Sequence, residues 1–243
     1  MDSAKNTDHK IAAKKGFFLR LLPILLILAG FAAFFAFRLD QYLSFDALRE
    51  NRQDLLAWRQ SNRLAAALSF IAVYCLVVAF SVPGAVWMTI AGGFLFGTVQ
   101  AMFLAVVGAT LGAIIIFLAA RYAFSDYLHA KAGPFLLRME EGFKDNALSY
   151  LLFLRLIPLF PFWLVNLVPA FLNVPLGTFI FGTFFGIIPG AIVFSSVGNG
   201  LGSVFDSGGT PRLDILFDPE ILFPIFGLAV LALIPIAYKK FKE

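Results

Sequence analysis

The chain is poor in the residues from which soluble active sites are usually built. Its 243 residues include one cysteine and two histidines, and only 14% are charged. A single thiol, Cys75, can close no internal disulfide and form no cysteine metal cluster. His9 lies in the polar N-terminal tail and His129 in a polar middle segment, neither with a second histidine nearby. The sequence has no H-E-x-x-H, no phosphate-binding G-x-x-x-x-G-K-[ST], no G-x-S-x-G and no C-x-x-C. An enzyme is therefore not expected, nor a cofactor, nor a resident metal.

What fills the chain instead is hydrocarbon. Hydrophobic residues make up 60% of it and the mean hydropathy is +0.86, far from the balance of a soluble domain. Crossing a hydrocarbon core about 30 Å thick takes roughly 20 mostly apolar residues as a helix. Phe17 to Phe37 is such a run, preceded by a basic tail over residues 1–16 that holds Lys5, Lys10, Lys14 and Lys15. A secretory signal shares that pattern, but this run exceeds the usual signal core of about 7 to 15 residues and no small-x-small cleavage site ends it. The segment is expected to stay attached. Further spans are expected over Leu64 to Val82, Gln100 to Ala120, Leu176 to Val197 and Ile221 to Tyr238. The fold class read from this pattern is all-α, a polytopic integral membrane protein.

Residues 38–63 interleave Phe45, Leu48, Leu55, Leu56 and Trp58 with Asp46, Arg49, Arg52 and Asp54, the pattern of an amphipathic helix lying in the membrane interface. Residues 201–219 read as a polar loop, and residues 220–243 as a C-terminal transmembrane helix with a basic tail. Basic residues at both ends place both termini in the cytoplasm by the positive-inside rule, which requires an even number of crossings. Five spans and two non-crossing hairpins would instead separate the termini, so the number of crossings is left open.

Two stretches of the core, residues 64–200, fit no simple span. Ser81 to Gly97 begins with Pro83 and Gly84, is too short to cross, and carries Gly92 and Gly93 before Gly97. Arg155 to Pro175 contains Pro158, Pro161 and Pro169, which together forbid one regular helix. Both read as re-entrant hairpins, near residues 83–97 and 155–175. Irregular backbone at membrane depth is tolerated only against protein or a wet cavity, so they should face inward.

The two regions also match each other at a shift of 78 residues, which lays Pro83 on Pro161, Gly108 on Gly186 and Gly112 on Gly190. Each half then holds a broken hairpin followed by a G-x-x-x-G face, where small residues let helices approach closely. The four glycines are read as helix-packing positions. With an odd number of crossings between them, the halves would form an inverted repeat, the arrangement that points to a transport site near the midplane.

The blocks GGFLFG (Gly92 to Gly97), GATLGAIIIFLAARY (Gly108 to Tyr122), LRLIPLFPFWLVN (Leu154 to Asn166) and GIIPG (Gly186 to Gly190), with Gly198, resemble the DedA superfamily. More narrowly they resemble its SNARE-associated Golgi, or VTT-domain, branch, over roughly Leu64 to Gly200. The resemblance implies two opposed re-entrant hairpins meeting in the membrane and a role in moving lipids between leaflets, either phospholipids or a polyprenyl-phosphate carrier. It also implies functional arginines at Arg155, just before the Pro-x-x-Pro turn, and at Arg121, closing the preceding helix. Three positions depart from the pattern. Ala85 follows Pro83 and Gly84 where an acid is expected, Pro161 stands where a second arginine is expected, and Ala170 replaces a common glycine.

Arg155 lies within LLFLRLIP, where a charge costs at least about 2.5 to 3.5 kcal/mol on insertion scales. Either it grips a lipid phosphate with its planar fork of donors, or it snorkels to a headgroup from the hairpin's edge. Asn166 could donate to the same headgroup or satisfy bent backbone. Arg121, at the end of an apolar run, also suits an interfacial anchor. These three are the lipid headgroup-binding candidates. The net charge of +4 suits anionic lipid better than nucleic acid, because the basic residues cluster beside apolar spans. The expected partners are anionic, phosphate-bearing membrane lipids, with homo-oligomerisation left open, and the expected location is a bacterial cytoplasmic membrane. The function expected is a lipid transporter or scramblase. The alternatives are a membrane scaffold that translocates nothing and a proton-coupled small-solute transporter, the latter disfavoured because Pro83 to Phe96 holds no ionisable residue.

Overall fold

The computed structural model describes residues 25–42, 44–131, 134–157, 160–206 and 219–242, and among them every regular element is helical. In chain order these are α1 (Leu25–Ala36), a 3₁₀ turn (Leu39–Tyr42), α2 (Phe45–Glu50), α3 (Arg52–Ser61) and α4 (Arg63–Ala79). Then follow α5 (Ala85–Phe96), α6 (Thr98–Lys131), α7 (Pro134–Leu156), α8 (Phe162–Phe171), α9 (Leu176–Gly186), α10 (Ile188–Asp206) and α11 (Pro219–Lys242).

The axis of the bundle is α6. Its inner row is Ala101, Ala105, Ala109 and Ala113, each 0 to 3% exposed and four residues apart, so one stripe of methyl groups faces inward and other helices can close on it. The same row ends in Phe117 and Arg121, four and eight residues beyond Ala113. Helices α4, α5, α8 and α10 pack around α6, while α7 lies against α9 and α11.

Two proline breaks divide the core. Helix α4 stops at Ala79, the backbone turns through Ser81 at φ 54°, and α5 starts after Pro83 and Gly84. Gly97, at φ 77°, then joins α5 directly to α6, a turn that only glycine makes without strain. In the second half α7 stops at Leu156, Pro161 precedes α8, and Asn173 at φ 53° and Pro175 lead into α9. The order helix, break, short helix, turn, helix thus occurs twice, the last helix being α6 in one half and α9, continued by α10, in the other, and α6 and α9 begin 78 residues apart, at Thr98 and Leu176. The packing repeats as well. A Cβ on Gly108 of α6 would press on Tyr74 of α4, and one on Gly186 of α9 would press on Arg155 of α7.

Several expectations change. Gly92 and Gly93 do not interrupt α5, which runs through both because the helix is sealed by neighbours at close range: Phe70 against Gly92, and the Ser195 carbonyl against Gly93. Pro169 sits inside α8 rather than at a bend. The lost N–H is tolerated because α8 ends two residues later, and the Pro169 carbonyl accepts the Val174 N–H at 3.0 Å, which helps close the turn. Gly190 has nothing within 4 Å of where a Cβ would stand, unlike Gly112, which lies against Cys75 and Val78. The difference follows from continuity: α6 runs unbroken through Gly108 and Gly112, whereas the ladder between α9 and α10 is interrupted at Ile187, beside Pro189. The polar loop begins later than residue 201, because α10 extends to Asp206.

Among the described residues, two stretches are long and apolar enough to cross a membrane, Thr98–Ala123 and Leu176–Asp206. The pair α3 and α4 would add a third, but it bends by 118° between the two helices. Of the expected first span only residues 25–36 lie in a described helix, and Pro158 lies outside the described residues.

Candidate functional site

The second break carries a polar cluster inside apolar packing. Arg155 stands in the last turn of α7, on the same row as Ala147 and Leu151, which are 6% and 0% exposed, so the helix that buries them also turns the arginine inward. Its Nη2 donates to Asn166 Oδ1 of α8 at 2.6 Å and to Thr183 Oγ1 of α9 at 2.9 Å. Asn166 and Thr183 are fully buried, and the guanidinium's Nε and Nη1 are shut off from solvent. Both of these partners are neutral, so they fix the fork's position without cancelling its charge. The Asn166 Nδ2 amide, also buried, has no hydrogen-bond partner among the described residues. A donor left unmade in such a place costs about 1 to 3 kcal/mol, and it lies on the residue that holds the arginine.

Aromatic rings extend the cluster. The Arg155 guanidinium lies 5.5 Å from the centroid of the Phe179 ring, Phe179 stacks on Phe117 at 4.2 Å, and Arg121 lies 5.9 Å from the Phe117 ring. Arg121 also donates from Nη1 to the Val174 carbonyl at 3.2 Å, in the turn between α8 and α9. The three headgroup candidates thus come into one neighbourhood: Arg155 and Asn166 touch, and Arg121 joins them through two phenylalanine rings.

The remaining candidates sit elsewhere. Pro83, Gly84 and Gly97 flank α5, Pro161 caps α8, and Gly108, Gly112 and Gly186 lie at helix contacts. Sequence reasoning passed over Thr183, Phe117 and Phe179. A threonine in an apolar helix and two phenylalanines among thirty carry no signal until the helices are placed. It also missed the crossing of α5 and α10, where Gly93 faces the Ser195 carbonyl and Gly198 faces the Ile90 carbonyl. Among the described residues no three of His, Cys, Asp and Glu come together as metal ligands would.

An all-helical chain with membrane-length apolar helices and two proline-broken short helices is an integral membrane protein of the multi-pass kind. Residues 82–200, the stretch that contains the arginine cluster, match the VTT domain. The protein is 28% identical to Transmembrane protein 41B of Danio rerio over 71% of this chain and 60% of that protein. It is 29% identical to Transmembrane protein 41B of Homo sapiens over 76% of this chain and 63% of that protein. With the Transmembrane protein 41 homolog of Caenorhabditis elegans it shares 26% identity over 76% of this chain and 74% of that protein. The matched part therefore spans less than two thirds of the two vertebrate relatives. No solved structure matches the chain.

Proposed function

We propose that this protein moves phosphate-bearing lipids, either phospholipid or polyprenyl phosphate, between the two leaflets of a cell membrane, without chemical conversion of the lipid. The observation that carries the reading is the Arg155 fork, held at the second helix break by Asn166 and Thr183 at 2.6 and 2.9 Å. A guanidinium among apolar helices presents a planar fork of donors that matches two phosphate oxygens at once. The neighbouring Asn166 amide, with no partner among the described residues, supplies a further donor. The broken helices supply backbone that can open: short α5 leads through Gly97 into α6 and short α8 through residues 172–175 into α9, and membrane transporters use such discontinuous helices at their substrate sites. Its partners in this reading are anionic lipids and not nucleic acid, and its location is the cytoplasmic membrane of a bacterium.

The test is leaflet exchange in liposomes containing wild type or Arg155→Ala at matched reconstitution, with a fluorescent phospholipid and, separately, a polyprenyl phosphate. Wild type should accelerate exchange of at least one lipid. The variant should lose about ten- to a hundredfold of that rate, the equivalent of one charged hydrogen bond of about 1.5 to 3 kcal/mol. No exchange of either lipid by well-folded wild type would overturn the proposal in favour of a scaffold.

A further inference from the structure

One residue along from Asn166, Leu167 of α8 lines a cavity of about 280 Å³, and one residue along from Phe117, Ile116 of α6 lines it too. Leu28 and Phe31 of α1 and Phe80 and Ser81 of the first break complete most of the wall. We propose that this cavity binds one hydrocarbon chain of a membrane lipid, an inference that rests on the lipid-transport reading and extends it from the headgroup to the tail.

The wall selects the ligand. It is apolar apart from Ser81, whose hydroxyl is itself buried, so water entering the space would find almost none of the two to four polar partners it needs. An apolar cavity of about 150 Å³ already accommodates a benzene, and this one has nearly twice that room, enough for a run of several methylenes. Leu28 and Phe31 are also exposed, at 56% and 37%, so the mouth opens along an apolar helix that a lipid chain could reach from a surrounding bilayer.

The position joins the two breaks. Phe80 and Ser81 belong to the turn between α4 and α5, and Ser81 is held in the left-handed region at φ 54° with its Oγ bonded to nothing among the described residues. Non-glycine backbone in that region persists where the surroundings impose it, often at ligand sites and switches. Leu167 belongs to α8, the helix that brings Asn166 to Arg155. A chain in the cavity therefore touches the first break and the helix of the second at the same time. Helix α1 meets this region closely through Gly30, where a Cβ would overlap the Phe80 ring, so the cavity wall and the α1 contact share Phe80.

The test is photocrosslinking of the full-length protein in liposomes with a phospholipid carrying a diazirine in its acyl chain, adducts being mapped by mass spectrometry. Competing arms add unlabelled phospholipid or polyprenyl phosphate, which tells a diacyl chain from a polyprenyl chain as the occupant. Adducts on the peptides containing Leu28, Phe80 and Ile116 should saturate with probe, while those on the exposed α11 residues Val230 and Leu231 should rise in proportion to it. Leu28→Trp, at the exposed mouth and so tolerable to the fold, should cut cavity labelling by roughly an order of magnitude, as Leu167→Trp should from within. Leaflet exchange is measured on the same liposomes, so that saturable cavity labelling without exchange sinks the transport reading, and exchange without saturable labelling sinks tail binding. Unsaturable labelling equal to that of α11, or labelling unaffected by both tryptophans, would overturn the inference.

Discussion

Phe117 of α6 and Phe179 of α9 stack with centroids 4.2 Å apart and planes 22° apart, and an arginine lies over each ring. The stack couples α6, α7 and α9. Both rings are fully buried, and the Arg155 guanidinium, with its Nε and Nη1 shut off from solvent, attracts the Phe179 quadrupole where water screens it little.

From this follows the first prediction. Phe179→Leu keeps an apolar side chain but removes the ring, and should lower stability in detergent by about 0.5 to 2 kcal/mol beyond the packing loss, the worth of a desolvated cation–π contact. A double-mutant cycle with Arg155→Met, read by thermal melting of the purified protein, should give a coupling of that size. Additive effects would mean that ring and guanidinium are neighbours without being partners.

The acceptors of Arg155 should separate stability from transport. Asn166→Leu and Thr183→Val each remove one oxygen that receives Nη2, and should cost about 1 to 3 kcal/mol of stability, with Thr183→Ser restoring most of the second loss. Asn166→Asp differs in kind, since its carboxylate would neutralise the guanidinium and compete with a lipid phosphate. Leaflet exchange of a phosphate-bearing lipid should then fall about tenfold or more while the protein still purifies as a folded species. Unchanged exchange in Asn166→Asp would show that Arg155 does not meet the headgroup.

How much of this was legible beforehand depends on whether a residue's meaning is local. Arg155 is a charge in an apolar run, and Pro83 and Pro161 lack an N–H wherever they stand, so the sequence discloses the cation and both breaks. Arg155 and Asn166 are eleven residues apart, and their pairing needs only the turn between α7 and α8. Thr183 comes from another helix and Phe117 from a third, and nothing in their own neighbourhoods distinguishes them from other threonines and phenylalanines. Glycines show the same limit. The 78-residue match put Gly108, Gly112, Gly186 and Gly190 on equal terms, yet a close approach needs a helix opposite, and Gly190 has none.

Glycine positions therefore sort into two groups by measurement. Gly93→Ala and Gly198→Ala should each destabilise strongly, because the new methyl would meet backbone carbonyls, of Ser195 and Ile90 respectively, that no side-chain rotation can move. Overpacking typically costs about 1 to 3 kcal/mol, and rigid backbone puts these two at the upper end. Gly190→Ala and Gly177→Ala, with open space at the Cβ, should be neutral or slightly stabilising through helix propensity. Size-exclusion profiles after graded heating would rank all four variants in one experiment.

The last prediction concerns the segment that lies across the α5 and α10 crossing. Leu48 of α2 packs with Ile90 of α5 and with Leu201 and Phe205 of α10, and beside them Arg52 of α3 meets Asp206 at the end of α10, Nη1 to Oδ1 at 2.6 Å. The apolar contact supplies the attachment and the ion pair its register. The pair is open to solvent, with the arginine side chain 30% and the aspartate 67% exposed, so salt should screen it. Hydrogen exchange over residues 45–61 should accordingly quicken at high ionic strength in the wild type, and Asp206→Asn should be fast at every salt concentration. The charge swap Arg52→Asp with Asp206→Arg should recover the slow, salt-dependent exchange, since it rebuilds the attraction with the partners exchanged. If the swap stays as fast as the single variant, the segment is held by Leu48 and its apolar neighbours alone and the ion pair is incidental.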